Sequence, residues 1–196
     1  MSYYSDDALQ PLIELVDRAS KNPLLLGIDG QGGSGKSTLA RELVGKFDRP
    51  AAVVEGDDFY RDMPDDERLK LGPAEGFEWY FDWQRLKEQV LVPVREGKQS
   101  LRYQRYDWDN ARMGVWVDIP MPSIVIVDGI YTLRPALRHL SDVKVYVEAS
   151  KEVRVERQID RAENPNEWIK RWIAAEDFYV AEHDPRGEAD VVVDGS

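Results

Sequence analysis

Short runs of apolar residues alternate along the chain with stretches in which apolar residues recur at helical spacing. The runs are rich in Val, Ile and Leu and nearly continuous, which is typical of strands covered on both faces of a parallel sheet. Strands are predicted at Leu24–Asp29, Ala51–Glu55, Ser123–Asp128, Val143–Val147 and Asp190–Val193. Helices are predicted at Asp7–Ser20, Lys36–Lys46, Trp83–Val92, Lys151–Ala162 and Asn166–Ala181. This alternation indicates an α/β fold with a five-stranded, mainly parallel sheet flanked by helices.

Two segments interrupt the alternation. Between positions 97 and 120, the strand-like runs LRYQRY and GVWVDI flank the sequence DWDNARM, and together they predict a β-hairpin insert. Pro, Gly and acidic residues crowd the stretch from Asp62 to Gly76, which predicts a mobile surface loop.

Two further details concern the helices. Asp6 or Asp7 is expected to cap the first helix, and Ser150 is expected to cap the fourth. In the last helix a set of large side chains recurs at helical spacing, which predicts a face packed in the core rather than a cofactor site. This set is Trp168, Trp172, Ala175 and Tyr179.

Composition narrows the class of protein. A chain of 196 residues with 42% apolar and 32% charged residues is expected to form one globular domain over 1–196. The formal net charge of −11 argues against nucleic acid or an anionic membrane surface as the main partner. The N-terminal sequence lacks a signal-peptide pattern, and no apolar run is long enough for a membrane helix, so a cytoplasmic protein is expected. The absence of cysteine excludes disulfides and thiol catalysis.

A glycine-rich segment between the first strand and the second helix carries the clearest chemical signal. It matches G-x-x-x-x-G-K-[ST], in which backbone N–H groups and the following helix dipole bind phosphates. Lys36 is expected to reach the β- and γ-phosphates, and the Ser37 hydroxyl to bind Mg²⁺. The predicted nucleotide-binding residues are Gly30, Gly32, Gly33, Ser34, Gly35, Lys36, Ser37 and Thr38.

A dinucleotide-binding loop is the alternative interpretation of the same segment. Gly30, Gly32 and Gly35 satisfy G-x-G-x-x-G, and Glu55 ends the next predicted strand at the distance typical of such folds. That interpretation would predict an NAD-dependent oxidoreductase, but it gives the Lys36-Ser37 pair no role. The phosphate loop of a P-loop protein is therefore favoured.

Carboxylates follow two other predicted strands. Asp128 closes the run SIVIVD and, in a chain with a phosphate loop, predicts the acid that holds Mg²⁺ or its water shell. Asp57 and Asp58 follow the second strand, and adjacent residues of an extended segment point in opposite directions. One of the two could take the proton of an acceptor hydroxyl beside the γ-phosphate. The residues alone do not choose between them.

These motifs, taken in order, resemble the uridine kinase and phosphoribulokinase family. The resemblance starts from the phosphate loop followed by Asp57-x-Phe59-Tyr60, and it covers positions 24 to 193. It continues at Phe81-Asp82-Trp83, Tyr106-Asp107, Asp128-Gly129-Ile130-Tyr131, Arg154-x-x-Arg157 and Ala189-Asp190-Val191-Val192-Val193. The fold it implies is that of the P-loop NTPases, with the hairpin over the acceptor site and a helical lid at 151–165.

The resemblance also implies roles on the acceptor side. Asp57 matches the general base of the family and lies on the metal side with Ser37 and Asp128. Phe81 and Asp82 match positions that hold the sugar and base of the acceptor. The other cleft aromatics implied by the resemblance are Tyr60 and Tyr106.

On the lid, the resemblance implies that Arg154, Arg157 and Arg161 reach the phosphates of the bound substrates. Their spacing independently places the three on one helix face. The alternative is a set of surface ion pairs with Glu152, Glu156 or Glu163.

The chain departs from the family pattern at two positions. Uridine kinases of the family usually have glutamate where this chain has Asp128, and a base-contacting histidine where it has Ala111. The first change preserves the metal chemistry, whereas the second removes a contact to uracil or cytosine.

The resulting hypothesis is an ATP- and Mg²⁺-dependent kinase for a small-molecule hydroxyl, with the 5′-hydroxyl of uridine or cytidine first. Pantothenate, nicotinamide riboside or a sugar derivative are alternative acceptors. A P-loop NTPase or switch acting through a protein partner is the alternative from another class, although nothing in the chain resembles the guanine-reading Asn-Lys-x-Asp motif. A homo-oligomer is compatible with the sequence.

Overall fold

The computed structural model describes residues 3–161 and 166–196, and its central element is a five-stranded parallel sheet. The strands are β1 (Leu24–Asp29), β2 (Ala51–Glu55), β3 (Ser100–Asp107), β4 (Arg112–Pro120), β5 (Ile124–Asp128), β6 (Val143–Glu148) and β7 (Val191–Asp194). The sheet has the order β2-β5-β1-β6-β7, while β3 and β4 pair separately as an antiparallel hairpin. The predicted α/β fold, its five parallel strands and the hairpin insert are confirmed.

Helices cover both faces of the sheet. They are α1 (Asp6–Arg18), α2 (Lys36–Val44), α3 (Asp65–Arg68), α4 (Pro73–Trp79), α5 (Trp83–Leu86), α6 (Val92–Arg95), α7 (Lys151–Asp160) and α8 (Asn166–His183). A π-helical segment, Lys87–Leu91, joins α5 to α6, so this helix continues beyond its predicted end at Val92. The predicted lid at 151–165 corresponds to α7 and the residue after it, and its positions 162–165 lie outside the described residues.

The core lies on both faces of the sheet because successive strand residues point to opposite sides. On one face, Leu24, Leu26 and Ile28 of β1 pack with apolar residues of α1 and α2. On the other face, Leu25 packs with a cluster from the α5–α6 helix and the hairpin. Burial on both faces explains why the strands are continuous apolar runs in the sequence.

Two sequence expectations about local structure were wrong. The stretch from Asp62 to Gly76 includes α3 and most of α4, and the Arg68 side chain in it is fully buried. Its guanidinium donates to the carbonyl oxygens of Arg61 and Met63, contacts that a reading of local composition cannot foresee. The cap of α1 is Ser5, whose hydroxyl accepts a hydrogen bond from the backbone of the first turn. Ser150 caps α7 as predicted.

Within the described ranges, no helix is long and apolar enough to cross a membrane.

Candidate active site

The carboxyl ends of three neighbouring strands meet at one edge of the sheet. Because β5 lies between β2 and β1, the segments that follow these strands are brought side by side. The glycine-rich loop follows β1, a 3₁₀ turn (Gly56–Phe59) follows β2, and Asp128 ends β5. A cleft of ≈ 850 Å³ opens over all three segments. The parallel sheet therefore collects motifs that are far apart in the sequence.

The glycine-rich loop has a backbone conformation that requires glycine. The φ angle is 150° at Gly30, 80° at Gly33 and 100° at Gly35, values that residues with a Cβ rarely adopt. A Cβ on Gly33 would also lie 2.4 Å from the carbonyl oxygen of Arg154. Helix α2 begins directly after the loop at Lys36, so the positive end of its dipole points to the loop. This geometry is suited to an anion.

The side chains of the loop support the same interpretation. Lys36, Ser37 and Thr38 line the cleft, and Lys36 Nζ donates to the carbonyl oxygen of Gln31 at 3.1 Å. The Ser34 hydroxyl is buried without a hydrogen-bond partner in the described part of the chain. Gly32, Gly33 and Gly35 also line the cleft, while Gly30 and Ser34 lie behind its wall.

Asp29 anchors the base of the loop, and the sequence analysis missed it. Its buried carboxylate accepts hydrogen bonds from the backbone N–H groups of Gly30, Tyr131 and Leu133 and from the Tyr179 hydroxyl. Burial raises the pKa of Asp29, and the donors of Leu133, Tyr179 and Gly30 oppose the rise by stabilising the charge. The carboxylate thus joins the end of β1 to α8 and to the segment after β5. An acid closing a buried strand was the signal that could have revealed it.

Asp128 and Ser37 provide oxygen ligands suited to Mg²⁺. Asp128 is buried, and its Oδ1 has no hydrogen-bond partner among the residues that the structure describes. Burial raises the pKa of Asp128, whereas Lys36 and Ser37 lower it. The described residues contain no cluster of three His, Cys, Asp or Glu side chains for a metal ion. The pair therefore fits Mg²⁺, which is usually held by one or two carboxylates with water and substrate phosphates.

The structure separates the two adjacent acids. Asp57 lines the cleft and is exposed to it. Partial loss of hydration inside the cleft raises the pKa of Asp57 to about 6; Lys36 opposes the rise and Asp128 adds to it. Asp58 is buried on the side of the hairpin, where its Oδ1 accepts a hydrogen bond from Arg105 Nε at 2.7 Å. Of the two, only Asp57 lines the cleft.

Aromatic side chains form the wall of the cleft beyond Asp57. Tyr60, Phe81, Trp108 and Trp172 line it. The ring of Tyr60 stacks on Trp108 with centroids 4.3 Å apart and meets Phe81 edge to face at 5.4 Å. Tyr106 is buried behind Tyr60 at 5.3 Å instead of lining the cleft. In this structure Tyr106 packs against the Tyr60 ring, and its role toward the acceptor stays a prediction.

Asp82 is turned away from this wall. Its Oδ1 accepts a hydrogen bond from the backbone N–H of Arg85 at 3.1 Å, which caps α5. The same oxygen lies 3.6 Å from Arg61 Nη2. Asp82 does not line the cleft, because its carboxylate caps the start of α5, and its contact with an acceptor stays a prediction.

The arginines at positions 154, 157 and 161 point in different directions. Arg161 lines the cleft together with Gln158. Arg154 is buried behind the cleft wall, where its Nη1 lies 3.9 Å from Glu176 Oε2. The alternative partner Glu163 lies outside the described residues.

Arg157 lies on the outer side of the phosphate loop. Its Nη1 donates to the carbonyl oxygens of Gly33 at 3.2 Å and of Gly195 at 2.5 Å. Arg157 does not line the cleft, because loop and C-terminal carbonyl oxygens hold its guanidinium, and its contact with the phosphates stays a prediction.

Helix α8 contributes more to the cleft than the sequence analysis predicted. Ala175 and Tyr179 are buried, as expected for a core face. However, Ile169, Trp172 and Glu176 of the same helix line the cleft. Their i, i+3, i+7 spacing was the available signal, but it does not distinguish a core face from a cleft wall.

Comparisons with known proteins bear on the family and the fold of the chain. The model of the phosphoribulokinase / uridine kinase family matches residues 25–165. A uridine kinase from Clostridium botulinum (strain Kyoto / Type A2) is 35% identical over 149 residues, which is 72% of this chain and 69% of the relative. A uridine kinase from Geobacillus kaustophilus (strain HTA426) is 32% identical over 147 residues, covering 72% and 68%. The structure of a possible uridine kinase from Bacillus stearothermophilus superposes with a TM-score of 0.76 at 23% identity, covering 96% and 98%.

Proposed function

This chain belongs to the phosphoribulokinase / uridine kinase family of phosphotransferases, and on that premise we propose that it transfers the γ-phosphate of ATP to a small-molecule hydroxyl. The proposed acceptor is a ribonucleoside, with the 5′-hydroxyl of uridine or cytidine first. One observation carries the proposal: a single cleft is lined by the phosphate loop, by the carboxylate of Asp57 and by an aromatic wall. Donor, base and acceptor would then lie within one enclosed space.

Each of these groups has a defined task in the proposed reaction. Lys36 neutralises charge on the transferred phosphoryl group, and Asp57 accepts the proton of the attacking hydroxyl. Ser37 and Asp128 would hold Mg²⁺, which neutralises phosphate charge when it is bound. Because phosphoryl transfer needs little covalent chemistry from the protein, positioning supplies most of the catalysis.

The charge of the acceptor end favours an uncharged or cationic acceptor. Asp57 and Asp109 line the cleft, Asp109 directly after Trp108 of the aromatic wall, and a sugar phosphate placed near these two acids would be repelled. The stacked pair of Tyr60 and Trp108 favours a flat ring, which a nucleoside base provides. Ala111 is exposed in the hairpin turn with φ of 48°, so its methyl group offers no polar contact to a base.

An acceptor panel tests the proposal. ADP release from MgATP is measured with uridine, cytidine, pantothenate, nicotinamide riboside, neutral sugars and a sugar phosphate, against an acceptor-free control. Strong stimulation by a pyrimidine nucleoside supports the proposed acceptor. Stimulation by another compound supports the kinase activity and identifies a different acceptor. Steady hydrolysis without any stimulation would contradict the proposal and favour the NTPase or switch class.

We further propose that residues 1–196 act as one kinase domain. A cytoplasmic location and a homo-oligomeric state stay predictions.

A further inference from the structure

Glu176 has no task in the reaction proposed above, yet its carboxylate contacts the phosphate loop directly. The residue lies on α8, is buried, and lines the cleft. Its Oε2 accepts a hydrogen bond from the backbone N–H of Gly32 at 2.9 Å. A carboxylate is therefore bound to one of the backbone donors that the loop presents to an anion.

The position of this donor identifies the part of the nucleotide that it would serve. Lys36 Nζ contacts the carbonyl oxygen of Gln31, the residue before Gly32. The lysine of this motif reaches the β- and γ-phosphates, so the Gln31–Gly32 end of the loop is the terminal-phosphate end. The Glu176 carboxylate consequently lies where a terminal phosphate oxygen would accept the same hydrogen bond.

The charged groups around Glu176 oppose one another. Burial raises the pKa of Glu176 to about 7, and Lys36, the Gly32 N–H and Arg154 oppose this rise, while Asp177 adds to it. The phenols of Tyr131 and Tyr146 also lie within electrostatic range. Gln158 of α7 faces the same loop residue, and its Nε2 donates to the Gly32 carbonyl oxygen at 3.0 Å. The carboxylate is thus held by partners that would also attract a phosphate.

Arg154 would gain from the departure of Glu176. Its buried Nη1 has no hydrogen-bond partner within residues 3–161 and 166–196 and lies 3.9 Å from Glu176 Oε2, while its Nε donates to the carbonyl oxygen of Ala149 at 3.2 Å. A phosphate oxygen could supply the hydrogen bond that this geometry lacks.

We propose that Glu176 occupies the place of a terminal phosphate oxygen on the loop and leaves it when the nucleoside triphosphate binds. The carboxylate then sets the preference between triphosphate and diphosphate, because its charge opposes the γ-phosphate more strongly than the β-phosphate. This inference rests on the proposed nucleotide site, but not on the identity of the acceptor.

The test compares Glu176→Gln with Asp177→Asn in the full chain without acceptor. Glutamine keeps an oxygen for the Gly32 N–H and removes only the charge. Asp177 provides the matched control because it is the next residue and carries the same charge. Among the described residues, its carboxylate accepts hydrogen bonds from two side chains, Gln31 Nε2 and Lys151 Nζ, each at 2.8 Å, and from no backbone N–H of the loop. Dissociation constants for MgADP and for a non-hydrolysable ATP analogue with Mg²⁺ are measured by calorimetry at pH 8, and thermal melting confirms that each variant is folded.

Glu176→Gln should tighten the triphosphate analogue roughly tenfold and MgADP less than about threefold, whereas Asp177→Asn should change both constants equally. In the wild type, the preference for the triphosphate should decrease as the pH rises from 6 to 8, because the carboxyl of Glu176 ionises in this range. The variant should show no such decrease. An unchanged preference in Glu176→Gln, or weaker triphosphate binding, would overturn the inference. If the wild type binds neither nucleotide, the proposed function itself fails, which is a separate outcome.

Discussion

Replacing Asp57 by Asn, with Asp58→Asn as the matched control, is the most direct test of the proposed mechanism. The two variants make the same chemical change at adjacent positions of one 3₁₀ turn. Asp57 lines the cleft beside Lys36, and Asp58 is held by the hairpin through Arg105. If Asp57 is the base, only the first variant loses a reacting group.

The expected size of the effect follows from these environments. Loss of a positioned general base lowers the rate by about 10²–10⁴-fold, which corresponds to roughly 3–5 kcal/mol. Asp57→Asn leaves Lys36, Ser37 and Asp128 in place, so the affinity for ATP should change by no more than about threefold. Asp58→Asn weakens an ion pair whose arginine is half exposed, which should lower the free energy of unfolding by about 1 kcal/mol with little effect on the rate.

Single-turnover phosphoryl transfer at saturating acceptor measures the chemical step, and calorimetry with MgATP measures binding independently. Chemical denaturation of both variants separates a catalytic loss from a folding defect. A rate for Asp57→Asn within about fivefold of the wild type would refute the base assignment, because so small a loss is below that of a missing general base. A large loss in a stable Asp58→Asn variant would show that the assignment is off by one residue.

Three other predictions concern the donor side. Lys36→Ala should lower kcat/KM of steady-state phosphoryl transfer by about 10²–10³-fold. The control Lys46→Ala, near the other end of α2, should leave kcat/KM within about twofold of the wild type. Equal effects of the two variants would contradict the phosphate site. Asp128→Asn should raise the Mg²⁺ concentration for half-maximal activity by at least about tenfold in a metal titration, and an unchanged midpoint would exclude Asp128 as a ligand. Folding raises the pKa of Glu176 from 4.5 to about 7, so the folded state binds the proton of this carboxyl more tightly than the unfolded state does. The stability that this proton contributes to the folded state is lost as the pH rises from 4.5 to 7. Glu176→Gln should therefore gain stability relative to the wild type between pH 5 and pH 8, by up to roughly 3 kcal/mol in denaturant titrations, and a constant difference would show that Glu176 does not titrate there.

Much of the fold could be predicted because its strands are short, nearly continuous apolar runs. The bounds of β1 and β2 agree with those predicted from these runs alone. β1 is buried along its whole length, so it has no polar face that would obscure its ends. The prediction of a loop from Asp62 to Gly76 was wrong because no regular pattern marks the structure there. The helices of this stretch are short, and its buried Arg68 is held by carbonyl oxygens outside any periodic pattern.

The sequence by itself determined the phosphate loop, because its glycines and Lys36 are local requirements of a backbone that surrounds phosphate. It also placed Asp128 at the end of a buried strand, which in a chain with a phosphate loop predicts a role on the metal side. The direction in which each side chain points, and its distance from the cleft, were decided only by the tertiary structure. The hairpin turned Asp58 away from the cleft, the C-terminal segment engaged Arg157, and α8 brought Glu176 onto the loop. Each of these contacts joins residues that are far apart in the chain. The orientation of such a side chain depends on the partner that packing places beside it, and local spacing in the sequence does not encode that partner.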